Sequence, residues 1–369
     1  MSLVRPESGV TRTLAILCSA AFLSACSVNR FDYAPKPDRT NRKPHWIAQH
    51  SGVTVGLRGV CAVSGSIAWA SGAKGTWLRT IDGGTSWEGG VVRGAEALDF
   101  RDIHAFDERT AAVLSAGLPA KVYRTVDAGE SWSACYSSSK PGVFFDAMAF
   151  WDDRNGIAFS DPVDGSLLII RTSDAGRSWR AIPPRDAPAV RPGEAGFAAS
   201  GTCLAVWGTR DVWIGLGGSA ARVFHSRDRG LTWSVADTPI TSGNPSSGIF
   251  SIAFRDATHG VAVGGDYQRG ERGERNTART QDGGESWQSL QSSAPHGYRS
   301  CVAYVPARST PTLVAVGTTG SDYSTDDGLT WRSFDARGYD AVGFARDGAG
   351  FAVGADGRVA RLSWNAADD

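Results

Sequence analysis

LRTIDGGTSW (78–87) is written again as YRTVDAGESW (123–132), IRTSDAGRSW (170–179), FHSRDRGLTW (224–233), ARTQDGGESW (278–287) and DYSTDDGLTW (322–331). The copies share the core Ser/Thr-x-Asp-x-Gly-x-Ser/Thr-Trp, anchored by Asp82, Asp127, Asp174, Asp228, Asp282 and Asp326. Successive aspartates stand 45, 47, 54, 54 and 44 residues apart. Self-similarity of this kind marks a repeat architecture, in which each copy is one supersecondary unit packed on the next.

Residues 144–183 show what one unit contains. FFDAMAFWD reads as a strand, RNG as a turn and IAFSDP as a second strand. After DG comes the strongly apolar strand SLLIIRTS, then the turn DAGRS and a short outer strand, WRAIP. Four strands joined by Gly, Asp and Asn turns make an antiparallel meander, and repeats of this length are propeller blades. The same order recurs from about residues 57, 98, 196, 248, 297 and 338. The chain is therefore expected to be all-β: a seven-bladed β-propeller of four-stranded antiparallel blades. The last repeat (338–364) lacks the Asp motif and leaves almost nothing after Trp364. His45-Trp46-Ile47-Ala48-Gln49-His50 reads as the missing outer strand, so an N-terminal strand is expected to close the ring and remove its exposed edges.

The motif's chemistry predicts a fastening role for its aspartates. A carboxylate in a tight turn accepts hydrogen bonds from that turn's own N–H groups. The glycine two positions later (Gly84, Gly129, Gly176, Gly230, Gly284, Gly328) permits positive φ, and the Trp buries aromatic surface beside the neighbouring blade. In the sixth copy Asp327 replaces the usual small residue after the aspartate.

The pattern resembles the Asp-box, or BNR, repeat of sialidase-type propellers. Its DGG-x-SW wording and blade count are most similar to the photosystem II assembly and stability factor family and its exported bacterial relatives. That resemblance covers residues 46–364. It implies the propeller fold and an assembly role, and since propellers host many activities it is far weaker on function than on fold.

Lysine and arginine total 38 against 38 aspartates and glutamates, which gives no electrostatic reason to expect nucleic acid. Arg5 and Arg12 precede an apolar run, Leu14 to Phe22, too short to span a bilayer. The run ends in Leu23-Ser24-Ala25-Cys26, which resembles the lipobox of bacterial lipoproteins; an ordinary cleaved signal with an incidental cysteine is the alternative. The resemblance implies a signal peptide over 1–25 and a lipidated Cys26 on a flexible tether over 26–45, with the propeller over 46–369. Ser27 implies the periplasmic face of the outer membrane if the cell is Gram-negative. Of the cysteines beyond the leader, Cys61, Cys135, Cys203 and Cys301, no two share a repeat, so buried free thiols are expected. No metal-ligand spacing, P-loop, GxSxG or HExxH motif is present, and no cofactor or metal is expected.

Aligning the inner strands on a shared small residue (Ala62, Ala105, Ala149, Ala205, Ala253, Ala303, Gly343) suggests one polar constellation. Four positions earlier lie Arg58, Arg101 and Arg299; three positions earlier lie Asp102, Asp146 and Asp340. Inner strands line a propeller's channel, so these six residues are expected to ring one mouth as a candidate binding site. They read either as a funnel for a carboxylate-bearing group or as charges that pair around a wet channel. Asp161, Asp164, Glu194, Asp266 and Tyr267 stand on insertions near that face, ahead of the charged loop 268–276. The reading is a non-catalytic, monomeric envelope lipoprotein that docks a protein partner and carries no catalytic residues. The alternative is a sialidase-like glycoside hydrolase, with Arg58, Arg101 and Arg299 as its arginine trio and Tyr339 or Tyr267 as nucleophile.

Overall fold

The structure, a computed structural model, describes residues 43–289 and 294–365. Seven antiparallel sheets form a ring of seven blades, with 3-10 turns as the only helical structure among these residues. Residues 144–183 fold as read above: Phe145–Phe150, Gly156–Val163, Ser166–Thr172 and Arg180–Ala181 run in that order from channel to rim. In the seventh blade Ala341–Phe344, Gly350–Val353 and Val359–Asn365 are completed by Lys43–Gln49, paired antiparallel from Lys43↔Asn365 to Gln49↔Val359. Ring closure is therefore made by the N-terminal strand. It begins at Lys43, so residues 43–45 belong to the blade and not to a tether. Cys26 and the remainder of the leader and tether lie outside the described residues.

The core is divided among the blade-to-blade contacts. One apolar cluster joins blades one and two around Trp69, Trp77 and Phe100. Another joins blades six and seven around Trp46, Tyr323 and Tyr339. Trp46 is buried, and its indole N–H donates to Ser321 Oγ at 2.9 Å in blade six. The closing strand thus locks two blades together. Cys135, Cys203 and Cys301 are free thiols, the last two buried. Cys61 is disulfide-bonded, which corrects the expectation for that residue.

Each Asp-box aspartate fastens its own turn. Asp82 Oδ1 accepts from Thr80 Oγ1 (2.8 Å) and the Ser86 N–H (2.9 Å), and Oδ2 accepts from Ser86 Oγ at 2.6 Å. Thr80 Oγ1 in turn accepts the Gly84 N–H at 2.8 Å. The same set recurs at Asp127, Asp174, Asp228, Asp282 and Asp326. Two consecutive positive-φ residues make the turn, as in Ala128 (φ 68°) and Gly129 (φ 93°). A Cβ on Gly129 would lie 2.4 Å from the Trp77 ring of the preceding blade, so this glycine is required twice over.

Arginines on the third strand, before the box threonine in blades two and three and at the same level in blade seven, form a latch that sequence reasoning passed over. Arg124 Nε donates to the Ala175 carbonyl at 2.8 Å, Arg171 Nη1 to Arg229 O at 3.0 Å and Arg361 Nη1 to Gly83 O at 3.2 Å. Each bond reaches the positive-φ residue of the next blade's box, and Arg361 carries the series across the closure. Arg279 instead meets the Asp327 carboxylate at 2.7 Å. Buried Asp327 also accepts from Arg255 Nε (3.0 Å) and Tyr304 OH (2.7 Å). Its departure from the consensus is thus an ion-paired joint between blades five and six.

Candidate functional site

Pairing across the first hairpin of each blade sets the true register. Cys61 and His104, not Ala62 and Ala105, stand level with Ala149, Ala205, Ala253, Ala303 and Gly343. The expected alignment is one residue late in blades one and two, because alanine there fills a position held elsewhere by Phe150, Val206, Phe254, Tyr304 and Phe344. The inner strands also carry bulges whose extra residues are Arg58, Arg101, Asp146 and Phe250. A bulge leaves one residue unpaired and re-aims its side chain. Thr202, Ser300 and Asp340 take the same place in the other three blades. The ring at the mouth is therefore Arg58, Arg101, Asp146, Thr202, Phe250, Ser300 and Asp340.

Four of the six candidate residues belong to that ring, and two do not. Arg299 falls level with Leu57, Phe100, Phe145, Ile249 and Tyr339, all buried between blades. It is 1% exposed and held by Asp322, with Nε–Oδ2 at 2.6 Å, and by Tyr298 O and Thr319 Oγ1 at 2.8 and 2.9 Å. It is a structural joint and not a channel-mouth arginine. Asp102 sits one residue past the ring and ties blade two to blade three: its oxygens accept the Ile103 and Met148 N–H groups, both at 2.7 Å. Burial outweighs those bonds and pushes its carboxyl up to about 8. Tyr339 is 1% exposed with a buried, unpartnered hydroxyl. The arginine trio and the Tyr339 nucleophile of the hydrolase reading are therefore not assembled at the mouth.

What covers the ring is the stretch 194–201, part of the long interval between Asp174 and Asp228. Glu194–Ala195 pairs with Gly217–Gly218 and so joins blade five's sheet as a ribbon. The chain then crosses the mouth as a strap pinned at several points. The Gly196 N–H donates to Asp161 Oδ1 (2.8 Å), and Arg101 Nη1 donates to Ala198 O (2.9 Å). Ser200 Oγ donates to Ser300 O at 2.8 Å and lies 2.7 Å from Thr202 Oγ1. Phe197 stacks on Phe250 with ring centroids 3.8 Å apart and planes 10° from parallel. Glu194 is committed to a buried ion pair, with Arg222 Nη2 at 2.5 Å from Oε2.

Under the strap Asp146 is fully buried, and neither carboxylate oxygen has a hydrogen-bond partner. A Cβ on Gly196 would approach its Oδ2 to 2.4 Å, so only glycine lets the strap lie so close. Burial, and then the neighbouring Asp161 carboxylate, push the Asp146 carboxyl well above its usual range against the pull of Arg101. Burial likewise raises Asp161 to about 6 despite the Gly196 N–H.

Outside the strap a cleft of about 500 Å³ opens, lined by Arg58, Arg101, Phe197, Tyr267, Tyr298 and Asp340 among others. Arg58 pairs with Asp340 at 2.9 Å and keeps part of its surface in solvent. Arg101 pairs with Asp99 at 2.6 Å. Tyr267, 50% exposed, stands at the cleft's outer edge. Of the other insertion residues, Asp266 caps its own turn at the Gln268 N–H (3.0 Å) and Asp164 meets Lys140 on the surface (2.8 Å). Among the described residues no group of three or more His, Cys, Asp or Glu side chains is placed to hold a metal.

No family model matches this chain, and no curated protein sequence matches it. Solved structures do. A structure described as YCF48 bound to D1 peptide superposes with a TM-score of 0.60 and 18% identity over 91% of this chain and 97% of that one. YCF48 from Cyanidioschyzon merolae gives 0.58 and 18% over 86% and 98%. The GH74 xyloglucanase from Xanthomonas campestris gives 0.57 and 15%, covering 87% of this chain but only 55% of the enzyme. At such identities the likeness is one of fold: a seven-bladed propeller with YCF48 and GH74 propellers among its structural neighbours.

Proposed function

We propose that this propeller is a non-catalytic docking module, an assembly or stability factor that captures a protein partner at the strapped mouth. The observation that carries the reading is the cleft itself. Two partly exposed arginines and the aromatic rings of Phe197, Tyr267 and Tyr298 converge on one open surface. Aromatic side chains and arginine are the residue types that anchor protein interfaces. A propeller of the same architecture, YCF48, has been described with a peptide bound, which supports a protein ligand. Arg58→Ala combined with Arg101→Ala should abolish partner capture while the melting temperature stays near wild type. Capture at the wild-type level by that variant overturns the proposal.

The envelope setting rests on the leader sequence. Cys26 carries lipid and, if the cell is Gram-negative, holds the monomeric propeller at the periplasmic face of the outer membrane. Cys26→Ser should move the protein from the membrane to the soluble fraction, and retention at the membrane removes the anchor. A glycoside hydrolase is the second reading, favoured by the GH74 neighbours. Release of fluorophore from a glycoside panel, lost in the Arg58/Arg101 variant, would establish it.

A further inference from the structure

The position that carries the blade-to-blade latch has a partner directly across from it on the outer strand. Directly opposed residues of an antiparallel pair share a face, and like charges there are destabilising. Blade one sets Arg79 against Glu88 as an ion pair. Blades two, four and five oppose Arg124 with Ser133, His225 with Ser234 and Arg279 with Gln288; blade six opposes Tyr323 with Arg332. Blade three alone sets cation against cation: Arg171 opposite Arg180.

Among the described residues no carboxylate lies within ion-pair distance of Arg171 or Arg180, and Arg180 is exposed. A third guanidinium enters from blade four. Arg229, in the positive-φ position of its Asp box (φ 63°), accepts Arg171 at its carbonyl, while its side chain lies over Trp151. Its Nε donates to Thr209 O at 2.6 Å, and its Nη2 lies 3.6 Å from Asp152. The three arginines line one groove of about 400 Å³ whose walls include Ala181, Ile182 and Pro183 and no carboxylate.

We propose that this groove binds a phosphate-type oxyanion, phosphate or a phosphate monoester, between blades three and four. A dianion relieves the Arg171–Arg180 repulsion, and planar guanidinium forks present paired N–H donors to such oxygens. The groove exceeds a bare phosphate in volume, and its apolar wall receives the organic part of an ester.

Thermal unfolding of the full chain is measured in potassium phosphate and in potassium chloride at equal ionic strength, and again with glycerol 3-phosphate. Flotation with phosphatidylcholine vesicles, with and without phosphatidic acid, reads the lipid headgroup as the source. Phosphate at about tenfold over Kd should raise the wild-type Tm by about 2 °C above chloride. Arg180→Glu, which installs the ion pair of blade one, should melt higher than wild type in chloride and lose the phosphate increment. Arg180→Ser, the residue of blades two and four, should lose it too and serves if the Glu variant fails to fold. Flotation that depends on phosphatidic acid and is lost in the Arg180 variants, without a response to free phosphate, supports the site and assigns it to a headgroup. Absence of both responses in wild type, or increments that survive substitution of Arg180, overturns the proposal.

Discussion

Arg299 and Arg101 look interchangeable in the sequence and differ in almost every physical respect. Arg299 is sealed between blades with Asp322, so Arg299→Ala leaves a buried carboxylate unpaired and should cost about 3–5 kcal/mol in urea unfolding. Arg101→Ala removes one partly exposed pair and one bond to the strap, leaves no buried charge unpaired, and should cost about 1 kcal/mol. Equal losses would contradict the register derived from the strand pairing. Asp327→Ala should also cost about 3 kcal/mol, since Arg255, Arg279 and Tyr304 all lose their acceptor. The buried acids make a separate prediction about pH. Asp102 has its folded value raised from 3.8 to about 8. The native state therefore binds the proton more tightly, and stability from this group falls as pH rises through that window. Asp146, raised in the same direction, adds to the slope. Asp146→Asn should lessen the fall in Tm with rising pH; an unchanged slope would show that the buried carboxyl does not take up a proton on folding.

Each Asp box is a self-contained turn that also serves the neighbouring blade. Its aspartates are shifted opposite to Asp102: at Asp82, hydrogen bonds from Ser86 and Thr80 lower the carboxyl to about 2, and at Asp282 those from Ser286 and Thr280 outweigh burial to the same end. A depressed carboxylate adds stability above the unfolded value that is lost as pH falls from about 4 to about 2. Acid unfolding should accordingly steepen in that window. Asp282→Ala should cost about 1–2 kcal/mol at neutral pH, as loss of a comparable side-chain cap does, and should weaken the acid transition. These turns were legible in the sequence because every atom of the device lies within ten residues of chain. The mouth was half legible. Arg58, Arg101, Asp146 and Asp340 were found, but a bulge leaves no periodic trace, and alanine at 62 and 105 shifted the alignment toward Arg299. The strap was not legible, since its partners Asp161, Phe250 and Ser300 are far away in sequence and chemically ordinary. The Arg latch was visible as a recurring Arg-Thr and went unread.

At the scale of the whole molecule, the ring places its fasteners and its candidate site at opposite ends. Strand direction alternates through each blade, so the Asp boxes close at the end away from the mouth. The ring is shut by seven residues of a strand that precedes all the repeats. Trp46→Ala removes a buried indole and its bond to Ser321, and should cost about 3–5 kcal/mol while loosening blades six and seven together. A loss confined to the seventh blade would contradict closure by a shared core. The docking reading also lives at this scale, since it assigns one face of the ring to a partner. Its most direct test is a photo-crosslinking amino acid placed at Tyr267, on the strapped mouth, and at Val126, an exposed Asp-box position on the opposite face. The account predicts a discrete protein adduct in cells from position 267, none from 126, and its loss with Arg58→Ala and Arg101→Ala. Adducts from position 126 alone, or from 267 regardless of the arginines, would contradict it.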